Sequence, residues 1–307
     1  MNTTFLLSGG AGRVICAIPA LEKYHRLNPD DDFKVLIPGW EMLYWDHPML
    51  HNRTYGIGQK GIFDLIVKNS KLVSPEPYHR HSYYNQLSSM VEAYDEEING
   101  TSDHSDLDSP KLYCHTSEIQ TAKHFITTHK KQKNKKKFVV YQPYGSSAMQ
   151  SEFGIIDPSN RSLCYEDAVK IGRLISNDAV VLYFGVNEFL KPSDNYMINS
   201  SSMPGADLRF FMAMISQCDY FIGIDSVGQH IAKSFDKPGT VILGSTFEKN
   251  ISYPGHFNFI RNGKPPIYNP IRIGGMDCNL VDRANDGLMR FSDDQIAQVY
   301  SNFKKFS

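Results

Sequence analysis

The chain has 307 residues, enough for two domains with separate cores, and its 41% hydrophobic and 21% charged content is that of an ordinary globular protein. With 32 basic against 33 acidic residues the net charge is -1, which excludes a generic polyanion binder but leaves room for a local basic cleft. Five cysteines without a CxxC pair speak against a disulfide framework. Cys16, Cys164 and Cys218 fall in apolar helical patterns and read as buried thiols in a reducing compartment.

In chain order, Thr3 to Ser8 reads as a strand, Gly9-Gly10-Ala11-Gly12 as a tight turn, and Val14 to about Arg26 as a helix with apolar residues at helical spacing. Asn28-Pro29-Asp30 closes that helix and Phe33 to Ile37 is the next strand, so two βα units in a short space call for a parallel sheet. Phe63 to Val67 reads as a strand, and Tyr83 to Ile98 and Glu118 to His129 as helices. The run from His129 to Lys137, rich in lysine, is the composition break. It is either a solvated helix end and interdomain linker or a contact to a phosphate-rich partner.

A second series follows. Strands are expected at Phe138–Gln142, Ala179–Phe184, Tyr220–Ile224 and Thr240–Leu243, and helices at Tyr165–Ile175, Leu208–Ser216 and Gly228–Phe235. Residues 247–290, rich in Gly, Pro and Asn, read as irregular, and Ser292-Asp293-Asp294-Gln295 is a capping-box pattern opening a last helix. No stretch reaches the roughly 20 apolar residues of a membrane span, and the N-terminus lacks the charge pattern of a signal peptide. The expectation is a cytoplasmic protein, bacterial or in a phage-infected host.

The chemistry concentrates where the strand Tyr220–Ile224 ends in Asp225-Ser226-Val227-Gly228-Gln229-His230. Asp225 at a strand end can accept from ribose or sugar hydroxyls. Ser226, the N–H groups after it and His230 can donate to a phosphate at a helix N-terminus, although His230 can also simply cap and pack. Gly244-Ser245-Thr246, ending the next strand, can add donors on the same edge. Gly10 and Gly12 allow close backbone approach but form no G-x-G-x-x-G dinucleotide fingerprint.

These residues resemble the heptosyltransferase family of GT-B glycosyltransferases, whose strand ends in Asp-(Ser/Thr)-Gly-x-x-His-x-Ala and is followed by Pro, an apolar strand and Gly-Pro-Thr. Here Asp225, Ser226, His230, Ala232, Pro238, Gly244 and Thr246 match, and Gly12-Arg13-Val14 through Ile18-Pro19-Ala20-Leu21 is similar to that family's N-terminal opening. The resemblance implies an α/β fold of GT-B type, two Rossmann-like doubly wound domains facing across a cleft. Residues 1–135 would bind acceptor, 136–290 would bind the nucleotide sugar, and the helix of 291–307 would pack back on the N-terminal domain. It also implies inverting, metal-independent transfer from a nucleoside-diphosphate sugar, with no other cofactor.

Two departures stand out. Arg13 replaces the aspartate the family uses as base, and a guanidinium cannot take that role; Val227 stands where the family has glycine. Base candidates are then Glu41, Asp46 and His79. Arg13 suits an anionic acceptor. Arg80, between His79 and His81 and flanked by Tyr78, Tyr83 and Tyr84, could hold a backbone and stack bases, or the tyrosines could be core. The acceptor is therefore expected to be a phosphorylated glycan such as lipopolysaccharide core, or hydroxymethylated cytosine in phage DNA with its base turned out. The alternative is a catalytically silent nucleotide-sugar-binding or interaction protein.

Overall fold

A computed structural model describes residues 2–152, 154–157, 159–185, 189–201, 203, 205–244, 246–261 and 289–306. The chain divides into two compact units, Met1–His115 and Thr116–Ser307.

In the first unit, β1 (Thr3–Leu6), α1 (Ala11–Leu27), β2 (Lys34–Ile37), β3 (Thr54–Gly56) and β4 (Lys71–Val73) build a four-stranded sheet in the order β3-β2-β1-β4, with every pairing parallel. The short helix α2 (His81–Tyr84) and α3 (Met90–Asn99) follow. Phe5, Tyr24 and Phe33 pack edge to face, with ring centroids 4.9 to 5.7 Å apart, and close the core between β1, β2 and α1. Helix α1 buries two cations, Arg13 and Lys23. Burial opposes the Lys23 charge, but hydrogen bonds from its ammonium to Asp106 and Asp95 outweigh this and raise its pKa. Lys23 Nζ lies 2.7 Å from Asp106 Oδ1 and 3.0 Å from Asp95 Oδ2, which ties α1 to α3.

Two expectations for this unit change. Phe63–Val67 is not a strand but a wide helical turn closed by Lys68 N–H donating to the Phe63 carbonyl at 2.8 Å, with no buried residue. The expected helix from Tyr83 to Ile98 is two helices. Gln86 takes a positive φ of 62°, and Ser89 and Glu92 then form a reciprocal capping box that starts α3 afresh.

The second unit holds α4 (Thr116–Gln132), β5 (Lys137–Gln142), the antiparallel hairpin β6 (Met149–Ser151) and β7 (Gly154–Ile156), α5 (Tyr165–Ser176), β8 (Ala179–Tyr183) and β9 (Ile198–Asn199). It continues with α6 (Leu208–Gln217), β10 (Tyr220–Ile224), α7 (Val227–Ser234), β11 (Gly239–Leu243), α8 (Glu248–Ile251), β12 (Asn258–Arg261) and α9 (Asp293–Phe306). Six strands pair in the order β12-β11-β10-β5-β8-β9, all parallel. The strands β8, β10 and β11 are buried along their whole length, as their near-continuous apolar runs require in a sheet covered on both faces.

The expected boundary at residue 135 moves to 115/116, because α4 belongs to the second unit. Ala122 and Ile126 are buried, Arg209 Nε donates to Glu118 Oε1 at 2.8 Å, and Lys130 pairs with Asp219 at 2.6 Å. The lysine run is thus internal to this unit. Lys133 Nζ donates to the Tyr196 carbonyl at 2.9 Å, and Lys137 lies over the Phe306 ring. Helix α9, expected on the N-terminal domain, instead sets Ile296, Val299 and Phe303 into the core of the second unit with Val139, Tyr220 and Ile260. Its N-terminus carries the expected capping box between Ser292 and Gln295. Within 247–290, read as irregular, β12 adds a parallel edge strand to β11 and α8 precedes it.

Candidate functional site

In an open parallel sheet, ligands bind outside the carboxyl ends of the strands, where the order of connections reverses. In the six-stranded sheet that point lies between β5 and β10. Gln142, the last residue of β5, reaches across it: its Nε2 donates to Ser226 Oγ at 3.1 Å, and its Oε1 accepts from the Gly228 N–H at 3.0 Å. Ser226 is the N-cap of α7 in extended backbone, and its side chain makes no capping bond to the helix.

Asp225, Ser226 and His230 gather around this point with Arg161, a residue the sequence reading missed. Arg161 Nη1 donates to the Asp225 carbonyl at 3.2 Å and lies 3.9 Å from Asp225 Oδ2, while its Nε donates to Ser159 Oγ at 3.0 Å. The loop carrying Arg161 is organised by Asp157, which accepts from Ser147 Oγ at 2.6 Å, Ser159 N at 2.8 Å and Ser162 N at 3.0 Å. Burial works to raise the Asp157 pKa, but the hydroxyls of Ser147, Ser159 and Ser162 bond its charged form and bring it below the usual aspartate value. His230 bonds through Nδ1 to the Tyr253 hydroxyl at 2.8 Å. Burial, followed by the nearby Arg161 charge, lowers its pKa to about 4, so the imidazole is neutral at physiological pH.

The other residues expected here divide by role. Gln229 is fully buried; its Nε2 donates to Asp225 Oδ1 at 3.0 Å and to the Ile251 carbonyl at 2.9 Å, and its Oε1 accepts from Ser252 Oγ at 2.6 Å. It orients Asp225 from behind. Gly228 is a packing glycine, since a Cβ there would collide with Gln142 Oε1 and come within 2.8 Å of Phe221 Cζ. Gly244 is similar: a Cβ would come within 2.8 Å of Met289 Cγ and 3.3 Å of the Asn160 carbonyl. Thr246, at the end of the β11 edge, has a buried Oγ1 with no hydrogen-bond partner, an arrangement that costs about 1–3 kcal/mol unless a ligand completes it. Ser245 lies outside the described residues.

In the first unit, the order reverses between β1 and β4. Gly10 caps α1 and is exposed, Gly12 is half-buried, and Arg13 is buried. The Arg13 guanidinium is not held open as an anion trap. Its Nη2 lies 3.0 Å from Glu76 Oε1, its Nε donates to the Tyr94 hydroxyl at 3.2 Å, and the Tyr78 ring lies under it at 4.7 Å. Glu76, also missed by the sequence reading, follows β4 and caps the turn Pro77–His79 by accepting from Tyr78 N–H.

Glu41 follows β2 at this same edge, against the end of β3: one carboxylate oxygen would be 3.0 Å from a Cβ at Gly56, and the other is buried without a hydrogen-bond partner. Asp46 is half-buried and His79 is exposed. The expected aromatic-basic patch is not assembled as a surface. Tyr78 and Tyr83 are buried, and Arg80 pairs with Glu96 Oε2 at 3.0 Å and Glu97 Oε1 at 3.3 Å. A depression lined by His25, Asp32, Lys34, Asn52 and Arg53 lies at the opposite, amino edge, where Asp32 already pairs with Lys34 and Arg53. Among the described residues, no group of three or more His, Cys, Asp or Glu side chains is arranged to hold a metal ion, and no helix is long and apolar enough to cross a membrane.

No protein-family model matches the chain, and no curated protein does. Solved structures do. Over 100% of this chain and 98% of its own length, the family 9 glycosyl transferase from Veillonella parvula superposes with a TM-score of 0.69 at 12% identity. The E. coli ADP-heptose lipopolysaccharide heptosyltransferase II does so over 100% and 98%, with a TM-score of 0.66 at 14% identity. The dodecameric iron-containing glycosyltransferase TibC from enterotoxigenic E. coli covers 99% of this chain with 76% of its own length, at a TM-score of 0.61 and 11% identity. The chain therefore has the α/β fold of the GT-B class, in its heptosyltransferase-like form.

Proposed function

We propose that the protein is a glycosyltransferase that takes its sugar from a nucleoside-diphosphate sugar. The observation that carries this reading is the gathering of Arg161, Asp225, Ser226 and His230 at the switch point of the second sheet, in a fold shared over its full length with glycosyltransferases. Asp225 would accept from the ribose or sugar hydroxyls. Arg161, the Ser226 hydroxyl and the start of α7 would stabilise the diphosphate as it gains charge on leaving. A neutral His230 can donate to the same phosphate, and Thr246 Oγ1 is a free hydroxyl for the nucleotide. Neighbours of this fold include an ADP-heptose enzyme, so ADP-sugars are the first donors to try.

Transfer would be inverting, without a metal at the reaction centre. A base removes the proton from the acceptor hydroxyl while that oxygen attacks the anomeric carbon opposite the departing diphosphate. Arg13 cannot be that base. Glu76, held beside Arg13, joins Glu41, Asp46 and His79 as the candidates. The acceptor is anionic, either a phosphorylated glycan or hydroxymethylcytosine in DNA. Incubating the protein with mixed nucleotide sugars and each acceptor, followed by mass spectrometry of both, tests the reading. Growth of neither acceptor and no loss of any donor would overturn it.

One observation favours a second reading. Arg13, paired with Glu76, stands where the resemblance puts the family's aspartate, which suits a nucleotide-sugar-binding protein without turnover. Saturable binding of a nucleotide sugar with no transfer would select it.

A further inference from the structure

We propose that Trp40 and Glu41 bracket a saccharide-binding subsite at the carboxyl edge of the first sheet. The chain has two tryptophans, Trp40 and Trp45, and both lie in residues 38–47, which follow β2. Neither is buried: Trp40 is half-buried and Trp45 is 52% exposed. An indole is mostly apolar surface, so one held at the sheet edge offers a face for a ligand to cover. Trp40 is anchored there, because its Nε1 donates to the Gly9 carbonyl at 3.1 Å, in the turn that leads into α1 and Arg13. The backbone around it is bare. Gly9, Gly10 and Gly39 are exposed, and a Cβ at Gly10 or Gly39 would meet nothing within 4 Å. Gly39 needs its φ of 84°, but Gly10 has a φ of −76°, so neither strain nor packing calls for a glycine there.

Glu41 supplies the polar half. It opens the short turn Glu41–Tyr44, and its carboxylate lies against the end of β3, where a Cβ at Gly56 would come within 3.0 Å of Oε1. Its Oε2 is buried without a hydrogen-bond partner. Leaving a carboxylate oxygen unpaired is costly, and an incoming hydroxyl completes it with a strong O–H···O⁻ bond. The order β3-β2-β1 sets Glu41 toward β3 and Trp40 toward β1, two strand spacings or roughly 10 Å apart. That spread suits two linked sugar rings, one with its C–H groups on the indole and the next donating a hydroxyl to the acid. Bases stack on an indole equally well, but nucleic acid is held in basic grooves. Residues 38–47 contain Glu41 and Asp46 and neither lysine nor arginine. Saccharide binding follows from the first unit alone. Its role as the acceptor's seat rests on the transferase reading, within which it selects the glycan over DNA.

Trp45→Phe leaves Trp40 as the lone tryptophan, so emission from that variant reports on the subsite directly. Titration with deacylated lipopolysaccharide core oligosaccharide should shift the emission to the blue and saturate. Dephosphorylated oligosaccharide should still do so, because the contacts are to rings and hydroxyls, and a single-stranded hydroxymethylcytosine oligonucleotide should not. By isothermal titration, Trp40→Ala and Glu41→Ala should each weaken the oligosaccharide about tenfold with donor affinity unchanged. Trp40→Phe, which keeps an aromatic face, should recover most of the loss, and circular dichroism of each variant separates a lost contact from lost folding. No saturable shift, oligosaccharide affinity indifferent to both alanine variants, or a shift produced by the oligonucleotide alone would overturn the subsite. Saturable binding without transfer by the parent chain would count against the transferase reading and leave the subsite standing. Transfer undiminished in both alanine variants would take the acceptor role from it.

Discussion

Arg13 Nη2 and Glu76 Oε1 stand 3.0 Å apart, joining the start of α1 to the loop that follows β4 across the switch point of the first sheet. The arginine is buried while the glutamate keeps about a third of its side chain in solvent. The pair is therefore asymmetric: Arg13 needs Glu76 more than Glu76 needs Arg13. Glu76→Gln should destabilise the first unit by about 1–3 kcal/mol, less than a fully buried pair would lose because solvent reaches the carboxylate. Urea unfolding measures this. The same variant should lose transfer with unchanged donor affinity, whereas a purely structural carboxylate would leave turnover of the folded fraction intact.

Arg161→Ala should weaken nucleoside-diphosphate binding about tenfold or more, since one charge-assisted contact to phosphate is removed. Isothermal titration with ADP reads this. The substitution has a second signature. Because the Arg161 charge contributes to lowering the His230 pKa, removing it should move that pKa upward, which imidazole NMR shifts can follow. An unmoved His230 would mean that the guanidinium does not face the site.

Acid should destabilise the protein through His230. Its folded pKa is about 4 against an ordinary histidine value of 6.5, so between those values the unfolded chain binds a proton that the folded chain refuses. Stability from this group is fully present above pH 6.5 and falls as the pH drops toward 4, by about 3 kcal/mol in all. Denaturant midpoints measured from pH 7 to 4.5 should show the fall, and His230→Asn should flatten it.

Two glycines separate packing from approach. Gly228→Ala would press a methyl group against Gln142 and Phe221 and should cost about 1–3 kcal/mol. Gly10→Ala meets nothing within 4 Å and has a φ of −76°, so stability should hardly change. If Gly10→Ala alone weakens ligand binding, the backbone there approaches a ligand.

Asp225→Asn keeps the Gln229 contact but removes the charge, and should reduce donor affinity with little change in thermal midpoint. Equal affinity for the parent chain and the variant would take Asp225 out of the site.

The second sheet was legible in the sequence because strands buried on both faces are written as unbroken apolar runs, and Asp225-Ser226 could be seen because polar groups crowd one strand end. What was not legible came from distance and from solvent. Gln142 reaches Ser226 across 84 positions and Arg161 reaches Asp225 across 64, so neither partner is visible in a local pattern. Glu76 finds Arg13 across 63. The apolar run at Phe63 was misread as a strand because periodicity cannot distinguish residues hidden in a core from residues displayed outside one. Helix α9 was assigned to the wrong half because its Ile296, Val299 and Phe303 stripe reveals that it packs but not against what.

A single amide group, that of Gln229, grips Asp225 with the same nitrogen that holds the Ile251 carbonyl, and its oxygen takes the Ser252 hydroxyl. Any occupant that draws on the aspartate must therefore be felt at the end of α8. Deuterium uptake at Asn250 to Ser252 should slow when a ligand engages Asp225, giving a remote gauge of occupancy that needs neither a labelled ligand nor turnover.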